Sequence, residues 1–120
     1  MFIRKLQDCT TIVAGDATIL KEILHPDKTD LAIRYSLAHA VVPPRQTSLK
    51  HKLAAAEVYY ILSGRGTMFI DEEKEAVTAN DTVYIPPGAV QCIENTGDEP
   101  LVFLCMVDPP WRVADEEVLE

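Results

Sequence analysis

Most of the chain between residues 33 and 107 reads at a period of two, and its breaks carry Pro, Gly, Asn or Asp. That period puts successive side chains on opposite faces of an extended chain. It predicts strands over residues 33–42, 57–62, 66–70, 82–86, 90–95 and 101–107. The breaks fall at Pro43-Pro44, Ser63-Gly64, Asp71 to Lys74 and Asn95-Thr96-Gly97-Asp98, all turn-forming chemistry. Short strands with turns about every eight to twelve residues describe an all-β sandwich or barrel.

The two ends are less regular. In residues 16–24, Asp16 could cap a helix whose apolar face is Ile19, Leu20, Ile23 and Leu24, yet the same residues read as a strand, which we favour. The acidic stretch from Asp115 to Glu120 can form a helical turn, but terminal segments of this kind usually fray. No internal repeat is present. One domain over residues 1–120 is expected, divided into an N-terminal arm (1–32), a barrel (33–110) and a short acidic tail (111–120).

Composition narrows the function classes. A chain of 120 residues, 48% hydrophobic and 25% charged, can bury one core without metal or disulfide staples. The formal charge is −8, and Arg34, Arg45, Lys50, Lys52 and Arg65 are scattered, so no basic stripe exists to follow a phosphate backbone. Nucleic acid is not an expected partner. Apolar runs such as Leu101 to Val107 are too short to span a bilayer, and Met1 to Lys5 lacks the apolar core of a signal peptide, so no membrane association and a cytoplasmic location are expected. Cys9, Cys92 and Cys105 are an odd set without close spacing and read as small buried hydrophobes.

Two segments carry a resemblance. Pro44 to Glu57, continuing to Gly64, resembles the first cupin motif, G-x5-H-x-H-x(3,4)-E-x6-G, with His51, Glu57 and Gly64 in register. Asn80 through Pro86-Pro87-Gly88 to Asn95 resembles the second, G-x5-P-x-G-x2-H-x3-N, with Pro86, Gly88 and Asn95 in register. Tyr59-Tyr60-Ile61-Leu62-Ser63-Gly64, Tyr84 to Gly88 and Leu101 to Cys105 are also phrased as in cupins. The chain is thus identified as similar to small single-domain cupins of the type-2, RmlC-like superfamily. The resemblance implies an all-β double-stranded β-helix, or jelly-roll, barrel, with extra strands at the N-terminus.

The departures from the motifs bear on chemistry. Arg45 and Asn80 replace glycines in turns, where backbone geometry is the main demand. Leu53 replaces the second motif histidine and Gln91 the last one. In cupins these positions hold iron, manganese, nickel or zinc with three imidazoles and a carboxylate. Here the resemblance leaves His51, Glu57 and the amide oxygen of Gln91 as ligands, with Glu57 also the candidate general base. An amide oxygen is a weak donor and leucine none, so a divalent ion would be held loosely. His39 is a possible additional ligand, but its parity in a strand ending near Pro43 leaves its direction open. The alternative is a metal-free polar cluster in which His51, Glu57 and Gln91 satisfy one another. Both readings stand at this level.

Residues 51, 53, 57 and 59 share a parity, as do 91 and 93, so Leu53, Tyr59 and Ile93 join Phe103 and Cys105 as expected pocket lining. Cys105 reads as wall, because no base in the sequence other than His51 stands ready to activate it. His25, before Pro26, reads as a surface turn residue, and Trp111 as packed on the barrel or on a second subunit. Three functions follow from the resemblance: a metal-dependent oxygenase, isomerase or decarboxylase; a non-catalytic barrel binding a small molecule without metal; and, ranked last, a sugar-phosphate isomerase. The last wants clustered cations near the site, whereas Lys50 and Lys52 have outward parity. A homodimer paired through the sheets is also implied.

Overall fold

The computed structural model describes residues 1–120, and its strands build two antiparallel sheets packed face to face. The first five are β1 (Thr11–Val13), β2 (Ile19–Leu24), β3 (Ser36–Val42), β4 (His51–Leu53) and β5 (Ala56–Ser63). They are followed by β6 (Arg65–Ile70), β7 (Glu73–Thr78), β8 (Thr82–Ile85), β9 (Gln91–Asn95), β10 (Leu101–Asp108) and β11 (Glu116–Val118). One sheet runs β1-β2-β3-β10-β5-β8 and the other β11-β4-β9-β6-β7. Helix is confined to two single 3-10 turns, Leu6–Asp8 and Val113–Asp115. The chain therefore has the expected jelly-roll barrel architecture, and residues 19–24 form the favoured strand, with Asp16 capping a turn ahead of it.

Alternation is realised directly in the central strands. Along β10, Leu101, Phe103, Cys105 and Val107 are buried, while Val102, Leu104 and Met106 face outward. On its neighbour β5, Glu57, Tyr59 and Ile61 point inward. Register brings Cys105 opposite Tyr59 and Val107 opposite Glu57, so Cys105 and Glu57 are diagonal neighbours on the inner face. The Tyr59 and Phe103 rings pack with centroids 4.4 Å apart.

The turns show why the motif residues stand where they do. Gly64 adopts φ 89°, and a Cβ there would meet the Pro100 carbonyl oxygen at 2.6 Å, so glycine is required. Arg45 (φ 64°) and Asn80 (φ 75°) occupy the same left-handed region at the two positions where the motifs carry glycine. Asn95 is fully buried and has a scaffolding role. Its amide nitrogen donates to the carbonyls of Val42 and Glu99, and its oxygen accepts from the Gly97 N–H, which fixes the turn before β10.

Three expectations are revised. The polar turn 71–74 is shorter than its composition suggests: Asp71 turns the chain (φ 52°), and β7 begins at Glu73. Being a sheet edge, β7 buries only Val77 and so lacks the apolar alternation that announces a strand. The tail folds back instead of fraying, pairing β11 with β4 through Glu116↔Leu53 and Val118↔His51. Finally, His25 is buried: its Nε2 donates to the Trp111 carbonyl at 2.6 Å and its Nδ1 accepts from the Asp27 N–H at 3.1 Å, a pairing that ties the arm to the tail.

Candidate functional site

The inward residues of the central strands, the β1–β2 loop and the returning tail enclose a cavity of about 200 Å³. Its apolar wall comes from Leu20, Ala38, Ala40, Phe103 and Val107, and its polar floor from Asp16, His51, Glu57 and Cys105. Trp111 and Glu116 close one side. A larger, shallower groove of about 570 Å³ lies at the margin between β7 and β8, walled by residues such as Met68, Val77 and Tyr84. It gathers no imidazole or thiol, so the enclosed cavity is the candidate site.

On the floor, a chain of hydrogen bonds joins three strands. The Tyr59 hydroxyl donates to Gln91 Oε1 (3.1 Å), and Gln91 Nε2 donates to Glu57 Oε1 (2.8 Å). The Cys105 thiol donates to Glu57 Oε2 (2.6 Å). Each carboxylate oxygen of Glu57 therefore accepts one hydrogen bond. Burial pushes the Glu57 carboxyl above its ordinary range, although donation from Cys105 and Gln91 and the nearby His51 pull the other way. The Cys105 thiol is driven well above its usual value, first by burial and then by the adjacent Glu57. Cys105 is thus held as a thiol, a donor and not a nucleophile. Tyr59 is likewise pushed well up by burial, which keeps its hydroxyl a donor.

His51 pairs with Gln91 across β4 and β9 and is 2% exposed. Its Nδ1 bonds the Leu49 carbonyl at 2.9 Å. Because a carbonyl only accepts, Nδ1 carries the proton and Nε2 is turned toward the cavity. There it faces Asp16 Oδ2 at 3.6 Å. Asp16 is the member of the site that the sequence did not reveal. Its Oδ1 accepts from the Thr18 N–H (3.1 Å) and hydroxyl (2.7 Å), and its own carbonyl accepts from the Leu49 N–H (2.8 Å). Leu49 thus anchors both Asp16 and His51. The available signal was the Asp-x-Thr spacing of an Asx turn, but nothing in the sequence links residue 16 to residue 51.

Of the other expected residues, Tyr59, Phe103 and Cys105 line the cavity with His51 and Glu57. Gln91 is buried behind Glu57, its amide spent on the hydrogen-bond chain. Leu53 and Ile93 belong to the packed core and are not among the residues that line the cavity. His39 lies outside the cavity lining. Ala38 and Ala40 face the cavity, so His39 between them faces outward, opposite Lys21 and Leu104. Burial, and then Lys21, lower its pKa.

The donors present do not fit the divalent site that the family motif implies. Each Glu57 oxygen already accepts a hydrogen bond, as does Gln91 Oε1 from Tyr59, and Leu53 and Gln91 stand where the motif has its second and last imidazoles. No group of three or more His, Cys, Asp or Glu side chains converges as a metal ion requires.

Two packed antiparallel sheets around a small cavity with a buried His and Glu at cupin-motif positions define a cupin barrel. The cupin domain model matches residues 38–107, and the chain belongs to that family. It is 44% identical to the uncharacterized protein MJ1618 of Methanocaldococcus jannaschii, over 90% of this chain and 86% of that one. It is also 31% identical to a glucose-6-phosphate isomerase of Thermococcus gammatolerans, over 77% of this chain but only 47% of the isomerase. Among solved structures, a predicted oxalate decarboxylase of Thermotoga maritima superposes with TM-score 0.78 at 22% identity, covering 90% of this chain and 99% of that one. A variant of Streptomyces PAC13 with uridine superposes with TM-score 0.79 at 13% identity, covering 100% and 92%. At those identities the likeness is one of fold.

Proposed function

We propose that this chain is a metal-independent cupin that binds a small organic molecule in its barrel. The observation that carries the reading is the pairing of Glu57, whose two oxygens each accept one hydrogen bond, from Gln91 and from Cys105. A metal at Glu57 would compete with these donors and would gain only His51 as a strong nitrogen ligand. A cavity of about 200 Å³ with apolar walls and a few fixed polar groups suits a small ligand.

The readings attached to relatives need groups that this cavity lacks. A metal-dependent oxygenase, isomerase or decarboxylase would need open coordination positions around a firmly held ion. A phosphorylated sugar would need cations, but the single Lys in the lining, Lys28, is 2.6 Å from Glu22 and paired with it.

The proposal includes a homodimer. Tyr60, Leu62, Tyr84 and Met106 are exposed on β5, β8 and β10, adjacent strands of the six-stranded sheet. A contiguous apolar face of this kind is more often covered than left in water. It would meet the same face of a second copy about a two-fold axis.

The test is metal content by mass spectrometry of untagged protein, beside Glu57→Ala, followed by thermal scans with added zinc, manganese, nickel or iron(II). The expected result is substoichiometric metal and no stabilisation by the ions. Stoichiometric metal that is lost in Glu57→Ala would overturn the proposal.

A further inference from the structure

The polar floor separates into atoms that the protein satisfies and atoms that it leaves to the cavity. Glu57, Gln91, Tyr59 and Cys105 satisfy one another. No fully enclosed side-chain nitrogen or oxygen lacks a partner. His51 Nε2 and Asp16 Oδ2 are different: they stand 3.6 Å apart, beyond hydrogen-bond reach of each other, and neither bonds any other protein group. Their side chains are 3% and 10% exposed. They are therefore nearly buried, line the cavity and lack a hydrogen-bond partner in the protein, each facing the other at 3.6 Å.

Their chemistry sets what fits between them. As a carboxylate oxygen, Asp16 Oδ2 accepts, and its neighbour Oδ1 already takes two donors from Thr18. His51 Nδ1 donates to the Leu49 carbonyl, so Nε2 is the ring nitrogen turned to the cavity, and a ring with that one proton presents Nε2 as an acceptor. Two inward-facing acceptors call for one group with at least two donors. A hydroxyl offers one, whereas a primary ammonium offers three.

The surroundings select the same charge. Glu22 and Glu116 also line the cavity, and the one Lys there is already paired with Glu22. Glu116 is held at the rim by the Trp111 indole N–H (3.1 Å). Tyr59, Phe103 and Trp111 line the cavity and supply aromatic surface to an apolar or cationic body. An anion would meet carboxylates without a free cation to offset them.

We propose that the cavity is a site for small primary amines, with the ammonium held between Asp16 Oδ2 and His51 Nε2 and the carbon skeleton against Phe103, Tyr59 and Trp111. The proposal rests on the metal-free pocket described above and names the ligand class that the pocket takes.

A matched set of probes tests it: benzylamine, benzyl alcohol and benzoate, titrated calorimetrically into the full chain at neutral pH. Benzylamine should bind at least ten-fold more tightly than benzyl alcohol, and benzoate should not bind. Asp16→Asn keeps the oxygen that caps Thr18 and should remove most of the amine's advantage at unchanged melting temperature. His51→Phe, which fills the ring space without the acceptor, should weaken the amine and spare the alcohol. Equal or tighter binding of the alcohol or of benzoate overturns the ammonium assignment and leaves a metal-free pocket standing. No binding by any of the three also overturns it. If the same preparation carries stoichiometric zinc, the pocket reading falls with it.

Discussion

The thiol of Cys105 and the carboxylate of Glu57, diagonal neighbours on β10 and β5, share a 2.6 Å hydrogen bond at the centre of the barrel. Sequence separates these residues by forty-eight positions, and the metal-free reading proposed above turns on this contact. It engages an oxygen that the family motif would otherwise offer to a metal.

Removing the thiol should therefore expose the cost of an unpaired buried carboxylate oxygen. Cys105→Ala is expected to destabilise the protein by about 1–3 kcal/mol, whereas Cys105→Ser, which keeps a donor, should stay nearer the wild type. Urea unfolding of the two variants checks this; equal loss in both would show that the bond contributes little and packing dominates.

The raised pKa of Glu57 carries a pH signature. Its folded value lies above the ordinary 4.5 because burial penalises the charged form. The folded state thus holds the proton more tightly than the unfolded one. The resulting stabilisation is complete below about pH 4.5 and is lost as pH rises through the folded value. Glu57→Gln cannot titrate, so wild-type stability relative to this variant should fall as pH climbs from that point. Thermal scans from acid to neutral pH measure the difference; a flat difference would mean that Glu57 titrates alike in both states.

His25 should behave as a buried clasp. Its ring bonds the Trp111 carbonyl and the Asp27 N–H, and neither group has another partner for that atom. His25→Ala is expected to cost about 1–3 kcal/mol and to loosen the tail. Trp111 is the only tryptophan, so its fluorescence reports directly: a red shift in the folded variant is expected, and an unchanged spectrum would show that the tail is held by other contacts.

The outer face of the six-stranded sheet makes the fourth prediction. Light scattering of the wild type should give a dimer mass, and Met106→Lys, placing a charge in the middle of the apolar face, should give a monomer with intact secondary structure. A monomeric wild type would remove the dimer from the proposal.

By itself the sequence determined the barrel and half of the site. Alternation at period two reports which side of a strand faces the core, and turn residues report where strands end, because both are local consequences of backbone sterics. His51, Glu57, Tyr59, Phe103 and Cys105 were therefore placed on the inner face correctly. The edge strand β7 was lost to this reading because exposure on both faces erases the alternation. His39 was left undecided because strand parity needs a fixed origin, and only the pairing with β2 and β10 supplied one. Tertiary structure decided the rest. Leu53 and Ile93 have the inward parity of lining residues but are packed into the core beside the cavity. Asp16 reaches His51 only because the Leu49 peptide hydrogen-bonds to both across the gap between the sheets. Contacts between distant segments depend on how the two sheets meet in space, which no local pattern encodes.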